Sequence, residues 1–178
     1  MIRFLEDKDI EACCNLYNWY IENTTITFEE ETLTVSQFTD RVHRIQAKYP
    51  YIVLEEDSKI VGYAYLDAFS SRVAYNWTTD LSIYLDHTCK SKGYGSLLMK
   101  EILHLAQIDG YCNVVSIVTE GNIASEHIHE KFGFQKKTLF ENFGYKFNKW
   151  LGVTYYVKQV NEVKDDIQQP QNSKQLSH

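Results

Sequence analysis

The run from Leu81 to Met99, Leu-Ser-Ile-Tyr-Leu-Asp-His-Thr-Cys-Lys-Ser-Lys-Gly-Tyr-Gly-Ser-Leu-Leu-Met, constrains the fold more than any other stretch of the chain. It reads as a strand, a short basic loop with two glycines, and an amphipathic helix carrying Leu97, Leu98, Ile102, Leu103 and Ala106. Gly93 and Gly95 have no Cβ to keep a ligand away from the backbone. A helix opening there aims unpaired N–H groups and the positive end of its dipole at the loop. Lys90 and Lys92 add two cations, so the site suits a diphosphate. The G-x-G pair alone is weak evidence, because turns and caps account for most such pairs. Neither the P-loop spacing nor the third glycine of the dinucleotide fingerprint is present.

The flanking sequence extends this unit into a mixed α/β pattern. Ile2–Leu5 reads as a strand, followed by a helix capped by Asp7 or Asp9 with Ile10, Cys13, Cys14, Leu16, Tyr17, Tyr20 and Ile21 at helical spacing. Thr34 caps a second helix that runs toward Tyr49, where Pro50 stops it. Residues 51–55 and 59–69 read as strands joined by a polar turn, and Trp77–Leu85 as another. Helix 93–108, strand 113–119, helix 123–132 and strands 134–141 and 151–160 complete the pattern. Meandering strands that later alternate with helices imply a mixed sheet with about four helices. Residues 1–160 form one domain on this reading. Residues 161–178 carry few apolar anchors and are assigned to a polar, disordered tail.

Composition narrows the classes of function. A chain of 178 residues suits a single core. A net charge of −6 argues against broad nucleic-acid binding. No run of about 18 apolar residues exists to span a membrane, and the charged start, Met1-Ile-Arg-Phe-Leu-Glu-Asp-Lys-Asp, lacks a secretory h-region. Cys13, Cys14, Cys89 and Cys112 show no metal-ligand spacing, so the expectation is no metal and reduced thiols in the cytoplasm.

The order strand, Lys90-Ser-Lys-Gly-Tyr-Gly95, helix resembles the acyl-CoA loop of the GNAT superfamily of N-acetyltransferases. Lys90 stands where the family pattern has Arg or Gln, and Ser91 where many members have Gly. Further blocks occur in the family's order: Thr24-Thr-Ile-Thr-Phe28, the run 71–80, Ile128-His-Glu-Lys-Phe-Gly-Phe134 and Gly144-Tyr-Lys-Phe-Asn-Lys-Trp150. Together they resemble the phosphinothricin acetyltransferase branch over residues 2–158. That branch acetylates the α-amino group of phosphinothricin, methionine sulfoximine and similar amino-acid analogues.

The resemblance implies a largely antiparallel GNAT-type sheet whose strands splay at the acetyl-CoA site, acetyl-CoA as cosubstrate, a small amine as acceptor and a homodimer. It implies that pantetheine pairs with the strand edge at Ile83, Tyr84 and Leu85. The loop Lys90, Ser91, Lys92, Gly93, Tyr94, Gly95 and Ser96 then takes the diphosphate, and Asn122 touches CoA or simply caps its helix. Asp80 stands where the family has its catalytic Glu. It is one methylene shorter, which favours a bridging water over direct reach to the amine; the alternative is that it only binds the substrate ammonium or a nearby cation. The general chemistry asks little of a base, since about a tenth of an α-amino group is already neutral at pH 7. His129 matches the family's His and could position the thioester, donate to the leaving thiolate or assist the base; its plain alternative is a packed helix histidine. Arg72 can clamp a substrate carboxylate, with Phe28, Tyr75, Trp77 and Tyr145 as pocket walls or ordinary core. No cysteine has an acyl-enzyme motif, which favours direct attack in a ternary complex. The alternatives are another amine acceptor (an amino acid, a polyamine or a protein N-terminus) and a CoA-binding module that has lost catalysis.

Overall fold

The computed structural model describes residues 1–89 and 92–176. The elements in chain order are β1 (Ile2–Phe4), α1 (Ile10–Asn23), α2 (Val35–Gln46), β2 (Tyr51–Glu56), β3 (Lys59–Ala68), β4 (Thr78–Leu85), α3 (Tyr94–Ile108), β5 (Asn113–Thr119), α4 (Ile123–Lys131), β6 (Gln135–Lys146) and β7 (Lys149–Gln159). The strands form one sheet in the order β1-β2-β3-β4-β5-β7-β6. Neighbours run antiparallel except β4 and β5, which are parallel. The mixed, largely antiparallel sheet with four α-helices is the architecture expected from the sequence.

Period-two alternation divides the strands between two cores. On one face α1 and α2 bury Cys13, Tyr17, Ile21, Phe38, Val42 and Ile45 against Tyr51, Val53 and Tyr63. On the other, α3 buries Leu98, Met99, Ile102 and Ala106 against Ile52, Leu54, Ala64, Leu66, Leu81 and Val114. All four cysteines are free thiols, three of them buried. Among the described residues no helix is long and apolar enough to cross a membrane.

Several boundaries differ from the sequence reading for local reasons. Helix α2 starts as expected: Thr34 accepts from the Gln37 N–H, and Gln37 returns a bond to the Thr34 N–H. It ends at Gln46, before Pro50, through turn bonds from Ala47, Lys48 and Tyr49 to carbonyls of His43 and Ile45. Strand β6 continues to Lys146 because the chain bulges at Asn142 (φ 51°) and then re-pairs Gly144 with Leu151. A two-residue turn at Phe147 and Asn148, both with positive φ, joins it to β7. Positive-φ turns usually advertise themselves with Asn-Gly. Phe-Asn does not, so the hairpin is hard to see in the sequence.

Beyond β7 the polar segment runs back over the ends of α2 and α3. The Asn172 side-chain amide donates to the Gln46 carbonyl, the Ser173 N–H to Asp109 Oδ1, and Trp77 Nε1 to the Gln168 carbonyl.

Candidate active site

The site begins where the parallel ladder stops. β4 pairs with β5 only at Thr78–Asn113, Thr79–Val114 and Asp80–Val115. Farther on, β5 follows β7 through Thr119, while β4 stays with β3 through Leu85. The two strands part and leave a cleft of about 830 Å³ between them, walled by the first turn of α3 and by α4.

Two side-chain bonds show which backbone groups face this cleft. Ser116 Oγ donates to the Leu81 carbonyl at 3.4 Å, and Tyr20 Oη donates to the Leu85 carbonyl at 2.7 Å. Both carbonyls therefore point away from β3. In an antiparallel pair a residue's N–H and C=O lie on the same side, and sides alternate along the strand. Ile83 thus presents its N–H and C=O to the cleft, whereas Tyr84 turns its backbone to β3. Of the three residues expected at the strand edge, Ile83 has open groups, Leu85 has its carbonyl held by Tyr20, and Tyr84 contributes position on the wall.

Gly93 caps α3 in the left-handed conformation (φ 76°), which explains a glycine there although a Cβ would meet nothing. Gly95 sits in a tight fit instead: a Cβ would stand 3.1 Å from Ile128 Cδ1, which would have to give by a few tenths of an ångström, and in ordinary contact at 3.5 Å from Leu85 Cδ1. These glycines let α3, α4 and β4 converge on the cleft floor. Tyr94 and Ser96 also line the cleft, and Ser96 Oγ accepts from Lys131 Nζ. Lys92 pairs with Glu56 at 3.1 Å, both partly exposed. Such a surface pair contributes little, so the ammonium remains available to an anion at the helix start. Lys90 and Ser91 lie outside the described residues.

Asp80 is the last residue of the parallel ladder, and its side chain takes the α1/α2 face with Ser82 and Tyr84. The residue retains some exposure, but Oδ1 is shut off from water without a hydrogen-bond partner among the described residues. Burial, and secondarily the nearby Asp67, pushes the carboxyl up to about 7. A carboxylate with that proton affinity can take a proton near neutrality and release it again, which an ordinary surface aspartate does poorly.

His129 sits on α4 on the opposite side of the sheet, lining the cleft. It packs edge-on to Phe134 (4.9 Å between centroids) and tilted to Tyr156 (5.4 Å). Nδ1 is 2.6 Å from the Ser125 carbonyl, so this nitrogen carries the proton and donates. Nε2 is buried with no partner among the described residues, and burial lowers the pKa of the ring. The resting imidazole is therefore neutral, with its lone pair at Nε2. It can donate from that atom only after first accepting a proton there. Asn122 caps α4, accepting from the Ser125 N–H at 3.3 Å, and also faces the cleft.

Phe28, Arg72, Tyr75, Trp77 and Tyr145 do not line this cleft. The Phe28 ring lies flush on Gly144, where a Cβ would overlap it. Tyr145 packs edge-on against Trp150 at 5.3 Å. Arg72 and Tyr75 belong to the exposed connection between β3 and β4, and Tyr75 meets Phe69. Trp77 is tied to Gln168. Phe28 and Tyr145 thus belong with the β6–β7 hairpin, and Arg72, Tyr75 and Trp77 with the connection that leads into β4.

The sequence reading missed other residues around the cleft. Trp19 and His87 stack at 3.9 Å with nearly parallel rings on its wall. Tyr20 holds the Leu85 carbonyl, and Tyr156, packed on His129, buries a hydroxyl with no partner among the described residues. Trp19 and Tyr20 look like any residues of an amphipathic helix, and nothing local reveals that α1 reaches the end of β4.

Comparison with known proteins agrees with this geometry. Residues 2–154 match the acetyltransferase (GNAT) domain family. A phosphinothricin N-acetyltransferase of Streptomyces viridochromogenes is 31% identical over 155 residues, covering 87% of this chain and 85% of that protein. An L-methionine sulfoximine/L-methionine sulfone acetyltransferase of Salmonella typhimurium is 27% identical over 165 residues, 90% of this chain and 95% of its own. The crystal structure of a GNAT superfamily phosphinothricin acetyltransferase from Sinorhizobium meliloti, in complex with acetyl-CoA, superposes with a TM-score of 0.88 at 25% identity, covering 94% of each chain.

Proposed function

Because the chain belongs to the GNAT acetyltransferase family, we propose that it transfers the acetyl group of acetyl-CoA to the α-amino group of a small amino-acid-like substrate, by direct attack within a ternary complex. Phosphinothricin and methionine sulfoximine or sulfone are the first acceptors to test, since relatives named for them match most of the chain. The observation that carries the reading is the parting of β4 from β5 just after Asp80 and Val115, beside the N-terminus of α3.

The residues fit acetyl-CoA part by part. Ile83 offers one N–H and one C=O on an open strand edge, which suits the amides of pantetheine and the thioester oxygen. The stretch from Lys92 through Ser96, with the Gly93 cap and the first N–H groups of α3, suits the diphosphate. Acetyl-CoA supplies the activated acyl group. Asp80 accepts the ammonium proton from the acceptor, directly or through one water, and its raised pKa keeps it effective at neutral pH. His129 takes at Nε2 the second proton that the nitrogen loses once it has bonded to the acetyl carbon, and returns it to the sulfur as the C–S bond breaks. Asn122 holds the start of α4, and with it His129, in place.

On this reading the acceptor lies on the α1/α2 side, where Arg72 engages its carboxylate and Phe28, Tyr75, Trp77 and Tyr145 shape the surroundings. The catalytic domain spans residues 1–160. The free thiols suit a reducing cytoplasm. The exposed aromatic end of the β6–β7 hairpin, with Phe143, Tyr145, Phe147 and Trp150, suits burial between two copies.

A thiol-release assay with acetyl-CoA tests the function. The panel contains phosphinothricin, methionine sulfoximine, methionine sulfone, ordinary L-amino acids and polyamines. Acceptor-dependent release with an α-N-acetyl product in the mass spectrum is the expected result. CoA binding with no release across the panel would instead favour a binding module that has lost catalysis.

A further inference from the structure

The two strands that carry the site place one aspartate directly opposite another. Asp67 on β3 is the register partner of Asp80 on β4. Alternation puts both side chains on the α1/α2 face, as it does for the flanking pairs Tyr65–Ser82 and Tyr63–Tyr84. Side chains in such a pair are about 4.5–5.5 Å apart at Cβ, and like charges in this position repel. Asp67 is not left alone: Arg44 on α2 grips it with two bonds, NH1 to Oδ1 at 3.1 Å and NH2 to Oδ2 at 2.8 Å. The Ala68 N–H adds a third at 2.8 Å to Oδ1. Arg44 thus fixes the Asp67 carboxylate and partly offsets its field, from the exposed side of α2.

We propose that Asp67 and its counter-ion Arg44 form a tuning pair that sets the proton affinity of Asp80: the Asp67 charge makes Asp80 a stronger base, and Arg44 limits how much stronger. The proposal rests on the reading of Asp80 as the proton acceptor, and it extends the site to two residues that touch neither substrate nor cofactor. They are positioning residues. The other ionisable groups packed on this face are Cys13, Cys14 and Tyr17 of α1, Tyr51 of β2, Tyr63 and Tyr65 of β3 and Tyr84 of β4, together with the Arg41–Glu29 pair between α2 and the α1–α2 connection. Burial pushes these tyrosine hydroxyls and thiols up, so they stay neutral through the working range. Arg41 lies 2.6 Å from Glu29 and largely cancels it. From β5 the register neighbour is Val115, which has no charge. Burial of Asp80 supplies the larger part of its raised pKa and Asp67 the adjustable part.

The test reads Asp80 itself and catalysis separately. The Asp80 side-chain carboxyl is titrated by ¹³C NMR in the wild type, Asp67→Asn and Arg44→Gln, each without ligands. The acid limb of kcat/KM is then measured in the same three proteins. Removing the opposing charge in Asp67→Asn should lower the Asp80 midpoint by roughly half a unit or more. Arg44→Gln, at an exposed position that leaves the core intact, should raise it. Opposite shifts in the two variants are the signature, because a merely structural disturbance would move both the same way. Unmoved midpoints, or shifts of the same sign, overturn the proposal. If the carboxyl midpoints shift in opposite directions while the acid limb stays put, the tuning pair stands and Asp80 is not the catalytic base.

Discussion

Lys146 offers the sharpest test of how the acceptor side is assembled. Its side chain is almost fully buried at the end of β6, yet no carboxylate among the described residues binds it. The ammonium donates to the Ile21 carbonyl at 2.8 Å and the Thr27 carbonyl at 2.9 Å. Ile21 lies in the last turn of α1, where carbonyls lack helical donors. Lys146 therefore ties the end of α1 to the following connection, which Thr119 Oγ1 also holds through the Thr25 carbonyl. In Lys146→Met the stem survives and the donor is lost. Each stranded carbonyl costs about 1–3 kcal/mol. Relief of the buried ammonium, whose desolvation lowers its pKa, returns part of that. A net loss of about 2–3 kcal/mol follows, or a fall of about 1–1.5 M in the urea midpoint for a slope near 2 kcal/mol/M. Equilibrium urea unfolding followed by far-UV circular dichroism measures it, with the slope expected to stay constant. A loss below about 0.5 kcal/mol would refute the idea that this ammonium organises the α1–α2 connection.

Other perturbations separate chemistry from structure. Asp80→Asn should reduce turnover by about 10²–10⁴-fold, and initial rates of thiol release at saturating substrates report it directly. The same change should stabilise the fold at alkaline pH. A carboxyl held near 7 when folded and near 3.9 when unfolded binds more protons in the folded state between those values, so its unfavourable contribution grows as pH rises through that window. Allowing for partial solvent access, the gain in Asp80→Asn should reach about 2 kcal/mol at pH 8 and vanish by pH 4; paired urea melts that show no such pH dependence would contradict the buried, proton-binding carboxyl. Gly144→Ala places a methyl group in the Phe28 ring and should cost about 1–3 kcal/mol. It should also raise the KM of the amine acceptor more than that of acetyl-CoA, and equal changes in both would argue against a place for Phe28 on the acceptor side.

What the sequence made legible was local. The Gly93 cap, the Thr34 capping box and the valine-rich β5 are written in short patterns whose physics involves near neighbours. The sheet's division into two apolar faces follows from alternation within each strand. The parting of β4 and β5 is different, because both strands have the same β-rich composition on either side of Asp80 and Val115. It arises when β7 claims the length of β5, and β3 the length of β4. The open backbone of Ile83 depends on that competition and on Tyr20, distant in sequence. Lys146 is hidden for a similar reason: in Gly-Tyr-Lys-Phe it reads as an ordinary surface lysine, and only the closure of α1 over the hairpin buries it. The opposition of Asp67 and Asp80 is a matter of register, which no single stretch specifies.

The most direct test of the account is a crystal structure of the protein with acetyl-CoA. Pantetheine should run between β4 and β5, with its amides bonded to the N–H and C=O of Ile83 and its diphosphate at the start of α3. The acetyl carbon should lie beside Asp80 at the end of the parallel ladder. Acetyl-CoA bound outside this cleft, or bound in it with the acetyl group remote from Asp80, would contradict the account.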